Sequence, residues 1–275
     1  KILDEMILQN GHRVEIHRVE TPDGYLLTLF RIPGEPGSTP VYYQHGLLDS
    51  SDSFVAMGKN KSLGFLLHDE GFDGWAGNFR GNDYSYINKN YDIDSPKYWD
   101  FSWDTLGEKD VRIMIDYILE QTGSPQLIYI GHSMGTTSFN VAASRFPDVN
   151  DKVKAYIALA PVTTFKYSRS PIFTTPFLGQ LFQVLKYKNG KNLSVKELEQ
   201  LIFLITPKSS SLKMVKHYLQ QRDAGHLFLY DYGSEQNNMQ VYNSPTPPEA
   251  DLANITCPTF FVYGQNDLLT AEGVI

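Results

Sequence analysis

A serine stands between two glycines in Gly131-His132-Ser133-Met134-Gly135, directly behind the apolar run Leu127-Ile128-Tyr129-Ile130. A run that is too short for a helix and bounded by turn residues fits a strand buried on both faces. Residues 136–146 read as the helix that follows. A serine on such a strand-to-helix turn sits in strained backbone, and glycines beside it keep neighbouring side chains clear. The free N–H groups of the next helix favour the negative charge that develops in acyl transfer. Ser133 is the candidate nucleophile. The five-residue pattern alone arises by chance in many chains; its place between strand and helix gives it weight.

A nucleophilic serine needs donors for an oxyanion and a base oriented by an acid. His45-Gly46-Leu47-Leu48 closes an earlier apolar run. On a nucleophile turn of this type, one oxyanion donor is the N–H after the serine and the other comes from the loop after an early strand. These are Met134 and Leu47. His45 itself reads as a structural histidine. The acid should follow a late strand, and Phe260-Phe261-Val262-Tyr263-Gly264-Gln265-Asn266-Asp267 supplies Asp267. The order serine, acid, histidine then asks for a base after Asp267. All seven histidines precede it: His12, His17, His45, His68, His132, His217 and His226. A base from His217 or His226 would break the order, so the base is expected in a carboxy-terminal portion beyond residue 275.

The elements that must position these residues alternate. Residues 26–32 read as a strand entered by the turn Pro22-Asp23-Gly24, and 40–44 as a second. A short helix over 63–70 stops at Gly71 before a strand at 72–76. Residues 105–121 carry Val111, Met114, Ile115, Ile118 and Leu119 on one helical stripe, ended by Gly123. Further strands fall at 127–130, 153–159 and 260–263. This alternation predicts an α/β fold with a mostly parallel central sheet and helices on both faces. Residues 161–225 break the rhythm. They hold helical candidates at 195–205 and 212–221, the prolines Pro171, Pro176 and Pro207, and the apolar residues Phe173, Phe177, Leu178, Leu181 and Phe182. The reading is a mainly helical lid insertion at 161–225 over a core made of 1–160 and 226–275.

Composition narrows the function. The 41% hydrophobic and 13% aromatic content is that of a folded chain, and 24 basic against 31 acidic residues leave −7, with no basic footprint for nucleic acid. No window reaches the ~18 apolar residues of a membrane span. No metal is expected, for want of a ligand cluster, and no cofactor, since Gly77-Asn78-Phe79-Arg80-Gly81 is not a dinucleotide loop. The lone Cys257 forms no internal disulfide, whereas Asn60, Asn192 and Asn254 each open a glycosylation sequon. Residue physics leaves the compartment open.

Several longer motifs add a resemblance. They are Val19-Glu20-Thr21-Pro22-Asp23-Gly24-Tyr25, His45-Gly46-Leu47-Leu48-Asp49-Ser50-Ser51, Gly77-Asn78-Phe79-Arg80-Gly81-Asn82, Phe101-Ser102-Trp103-Asp104, Tyr230-Asp231-Tyr232-Gly233 and Tyr263 to Asp267. Together they closely resemble the acid lipase family of the α/β-hydrolase superfamily, with Phe79 where a small residue is more usual. The resemblance implies the α/β-hydrolase fold and a lipase acting on triacylglycerols or steryl esters at a lipid–water interface. It also implies a glycosylated protein that is secreted or lysosomal, with the signal peptide removed. The lid looks several helical turns shorter than in the mammalian enzymes. A catalytically silent lipid carrier on the same fold is the competing expectation. A dehalogenase would want an acidic nucleophile in place of Ser133.

Overall fold

Every residue of Pro40–Gln44 and of Asp73–Gly77 is buried, which makes these two strands the middle of a sheet. The computed structural model describes residues 3–164, 166, 210–222, 224–265 and 267. In chain order the strands are β1 (Glu15–Glu20), β2 (Tyr25–Ile32), β3 (Pro40–Gln44), β4 (Asp73–Gly77), β5 (Ile87–Asn88), β6 (Leu127–His132), β7 (Val153–Leu159) and β8 (Thr259–Val262). The sheet runs β1-β2-β4-β3-β6-β7-β8, with β5 paired to β2. The five strands from β4 to β8 along that path are parallel, and β1, β2 and β5 add antiparallel pairs at one side. The expected mostly parallel sheet is present, extended by a meander that alternation alone did not reveal.

Side chains alternate across the sheet and so feed two layers. Tyr42, Tyr129 and Tyr156 point into the main core, where they meet Met114, Ile115 and Ile118 of α4 (Arg112–Thr122) and Phe139 and Val141 of α5 (Met134–Arg145). On the other face Val41, Tyr43 and Ile130 pack with Phe54 and with Leu63 and Leu67 of α2 (Leu63–Asp69). A smaller cluster places Leu3 and Ile7 of α1 (Leu3–Gln9) on Phe30 and Ile32.

The helix expected over 105–121 is instead three pieces. A single turn, α3 (Trp103–Thr105), passes through a π-helical stretch at Leu106–Val111 into α4, which ends at Gly123 in the left-handed region. Gly107 in the widened turn lies so close to α5 that a Cβ would press into the Ser138 carbonyl. The same turn puts Asp110 fully inside, on Arg80. Packing against a neighbouring helix, which periodicity does not encode, accounts for the difference.

The helical candidate at 212–221 forms as α7 (Leu212–Gln221), with Ser211 capping it through Lys213 N–H. Its Met214 and Tyr218 belong to the main core. The candidate at 195–205, Asn192, and the apolar residues from Phe173 to Phe182 lie outside the described residues. After α7 come α8 (Glu235–Tyr242) and the segment leading into β8. Asn150, in α6 (Pro147–Lys152), ties that segment down: its amide donates to the Ala143 and Asn254 carbonyls, and its oxygen accepts Thr256 N–H and Cys257 N–H.

Candidate active site

Ser133 joins β6 to α5 with φ 51° and ψ −116°, a conformation that costs a non-glycine residue about 1–3 kcal/mol. Its N–H is held by the Leu159 carbonyl on β7 at 3.0 Å, and its carbonyl accepts Thr136 N–H and Thr136 Oγ1 at 2.8 and 2.6 Å. Ser133 occupies the N-cap of α5, yet its side chain makes no capping bond. The hydroxyl is therefore not consumed by the helix it heads. Met134 is the first residue of that twelve-residue helix, so its N–H has no acceptor within it.

The glycines of this turn answer to close approach rather than to dihedral freedom. A Cβ on Gly135 would stand 2.5 Å from the Gln44 carbonyl oxygen, and one on Gly131 would be 3.0 Å from the Gly135 backbone. These contacts pull the turn onto the end of β3. The loop after β3 lies directly against the serine: a Cβ on Gly46 would be 3.0 Å from Ser133 Cβ and 3.3 Å from His132 Nδ1. Leu47 follows, half-buried against the main core, and Leu48 is left-handed at φ 58°. The structure thus brings together Ser133, Met134 and the Leu47 loop.

Asp267 closes a turn after β8, its N–H on the Gly264 carbonyl at 3.0 Å, and its side chain is half-buried. It acts on His132, next to the serine: burial lowers the His132 pKa, while the Asp49 and Asp267 carboxylates oppose that. Asp49 Oδ2 is 4.0 Å from His132 Nδ1.

His45 is structural, as its sequence position suggested. Its Nδ1 lies 2.8 Å from the Gly46 carbonyl, which only an N–H can satisfy, leaving Nε2 to accept Phe79 N–H at 3.2 Å. Burial pushes its pKa down to about 4, partly offset by the Gly46 bond. His217 is likewise committed. Nδ1 meets Ser102 Oγ at 2.7 Å, Nε2 meets the Phe228 carbonyl at 2.9 Å, and the ring stacks on Trp103. Burial brings its pKa down to about 4 against the pull of Asp104. His226 is exposed beside Phe228. Among the described residues none of the seven histidines is hydrogen-bonded to the Ser133 hydroxyl, and no group of acidic, histidine or cysteine side chains there could hold a metal ion.

Sequence reasoning noted residues 77–82 as a motif but gave Asn78, Arg80 and Asn82 no role behind the Leu47 loop. Asn78 accepts Ser51 N–H and donates to Ser51 Oγ and the Thr28 carbonyl. Asn82 donates to the Asp49 carbonyl at 2.8 Å. Between them Arg80, 3% exposed, makes a two-pronged bond to Asp110 and another to Asp23, with its guanidinium over the Tyr25 ring. Burial alone would raise the Asp23 pKa, but Arg80 and Lys109 outweigh it and hold the carboxyl well below the usual range. A run of polar side chains directly after a fully buried strand was the available signal, since polar groups so placed need partners.

Comparison with known proteins shows the family. Residues 39–275 match the family described as "alpha/beta hydrolase fold", and residues 3–58 match the "Partial alpha/beta-hydrolase lipase region". Lipase 1 of Drosophila melanogaster is 38% identical over 97% of this chain and 68% of its own length. Gastric triacylglycerol lipase of Bos taurus is 34% identical over 97% of this chain and 78% of its own. The chain belongs to the acid lipase-like family of the α/β-hydrolase superfamily. It is a hydrolase of the lipase and esterase class. The fold recurs in a crystal structure of a putative lipase from Acinetobacter baumannii, with TM-score 0.57 and 17% identity over 99% of this chain and 80% of that one. No helix among the described residues is long and apolar enough to cross a membrane.

Proposed function

We propose that this lipase-family chain is a serine carboxylester hydrolase of neutral lipids, triacylglycerols or steryl esters, working through an acyl-enzyme on Ser133. The observation that carries the reading is the strained, uncapped Ser133 at the head of α5, packed on the loop of Gly46 and Leu47. A histidine base takes the Ser133 proton as Oγ attacks the ester carbonyl. The N–H groups of Leu47 and Met134 hold the oxyanion. Collapse returns that proton to the departing alcohol, and water then releases the fatty acid by the same route. Asp267 is the acid that orients the imidazole. The base is assigned to a histidine outside the seven in this sequence, because His45 and His217 have both nitrogens occupied and no histidine among the described residues is hydrogen-bonded to the Ser133 hydroxyl.

Neutral-lipid substrates are supported by kinship with a gastric triacylglycerol lipase. Residues 161–225 are proposed as the lid that meets the lipid–water interface, anchored to the core by α7. A secreted or lysosomal, glycosylated protein fits the sequons; Asn60 and Asn254 are exposed, and Asn254 already donates to the Ser144 carbonyl.

The test is fluorophosphonate labelling of the protein as its gene encodes it, followed by peptide mapping. Label on Ser133 is expected. Ser133→Ala should abolish it and lower kcat on a triacylglycerol by on the order of 10⁶-fold with little change in stability. Label on another serine would refute the assignment.

A further inference from the structure

Leu48 is a branched, non-glycine residue held at φ 58°, one position after the proposed oxyanion donor Leu47. Left to itself, a leucine there relaxes to negative φ and turns the neighbouring peptide. What prevents this is visible at both ends of the loop. At the entry, His45 Nδ1 clasps the Gly46 carbonyl while Nε2 is fixed by Phe79 N–H. At the exit, the Asn82 amide donates to the Asp49 carbonyl at 2.8 Å and lies 3.4 Å from the same His45 Nε2. One side chain therefore spans the two ends.

Asn82 is itself immobilised. It is 2% exposed, its Oδ1 accepts Tyr84 N–H at 2.8 Å, and the adjoining Arg80 is locked by Asp110 and Asp23. Its amide donates to a carbonyl of the loop, and the same nitrogen shares with Phe79 N–H the His45 Nε2 lone pair that faces the loop's start.

We infer that Asn82 is a positioning residue for ester hydrolysis, clamping the loop from Gly46 to Asp49 so that the Leu47 N–H stays aimed at the oxyanion. This rests on the reading of Ser133 as nucleophile and Leu47 as donor. Asn82 touches neither substrate nor serine in this role. It maintains a backbone conformation that Leu48 would not choose.

The experiment compares Asn82→Asp and Asn82→Ala with the unmodified full protein, using a soluble short-chain ester. Asn82→Asp keeps the shape but turns an oxygen towards the Asp49 carbonyl and the His45 lone pair. Each variant should lose about 10- to 100-fold in kcat, short of the 10²–10³ typical when an oxyanion donor is removed outright, with KM within about threefold. Kinetic constants are normalised to the fraction of molecules that fluorophosphonate labels at Ser133, so partly misfolded protein does not count. Adding Leu48→Gly to Asn82→Ala should restore at least about fivefold in kcat, because glycine adopts positive φ unaided. Unchanged normalised kcat, or no recovery with Leu48→Gly, would overturn the inference. A failure of the nucleophile assignment is separable: the unmodified protein would then not label at Ser133.

Discussion

On one side of Ser133, β3 and β4 bury every residue, the loops that follow them are cross-linked by Asn78 and Asn82, and Arg80 ties the second loop to Asp110 and Asp23. On the other side, β8 carries the turn with Asp267 and leaves Phe260, Phe261 and Val262 exposed by 58%, 51% and 53%. A half-covered strand hides alternate side chains. Here three in succession are open, so neither face of β8 is covered by the described residues. Its order comes from the ladder to β7 and from Asn150. The donor half of the proposed site is thus fixed by side-chain chemistry close by, and the acid half mainly by backbone pairing. The first half should respond sharply to single side-chain changes and the second weakly.

The sharpest contrast is expected at Asp110. Asp110→Ala strands the Arg80 guanidinium inside the protein, with Asp23 as its remaining carboxylate. Removing one partner of a buried pair costs about 3–5 kcal/mol, read as a lower urea midpoint. A loss under about 1 kcal/mol would show that the braced half does not depend on this pair.

Acid should act next. His45 and His217 are both brought down to about 4 by burial, whereas an unfolded histidine titrates near ~6.5. Between those values the unfolded chain binds more protons, so stability is full above pH 6.5 and falls as the pH drops towards 4. Each ring contributes about 2 kcal/mol between pH 7 and 5. Urea midpoints across that range should show the decline, and His45→Gln should flatten it. An equal slope in that variant would contradict the assignment.

The smallest effect belongs to β8. Phe261→Thr should change stability by roughly 0.5 kcal/mol or less, as exposed substitutions do. A cost above about 2 kcal/mol would mean that the complete protein covers this strand and that the asymmetry belongs to the described residues alone.

Much of the frame was legible because local pattern and tertiary demand agree. β7 forms over residues 153–159 and α7 over 212–221, where the apolar pattern put them. The strand–serine–helix order was readable because a buried strand cannot hide its apolar run. What escaped depended on distant contacts. β1 reads Glu-Ile-His-Arg-Val-Glu, and Val19 alone is buried, so no alternation marked it. The π-helical turn answers to α5. The roles of Asn78 and Asn82 depend on a loop some thirty residues earlier, and a polar residue gives no sign in sequence of the partner it will find.

Asn150 has a consequence for the order in which the chain assembles. Its side chain spans about 106 residues to reach Thr256 and Cys257, just ahead of β8. Closing so long a loop is entropically costly until the α5–α6 corner that presents Asn150 exists. We expect the strand that leads to the proposed acid to dock late, onto a turn at Ser133 already folded. Weakening that dock should chiefly hasten unfolding and leave the rate of folding nearly untouched.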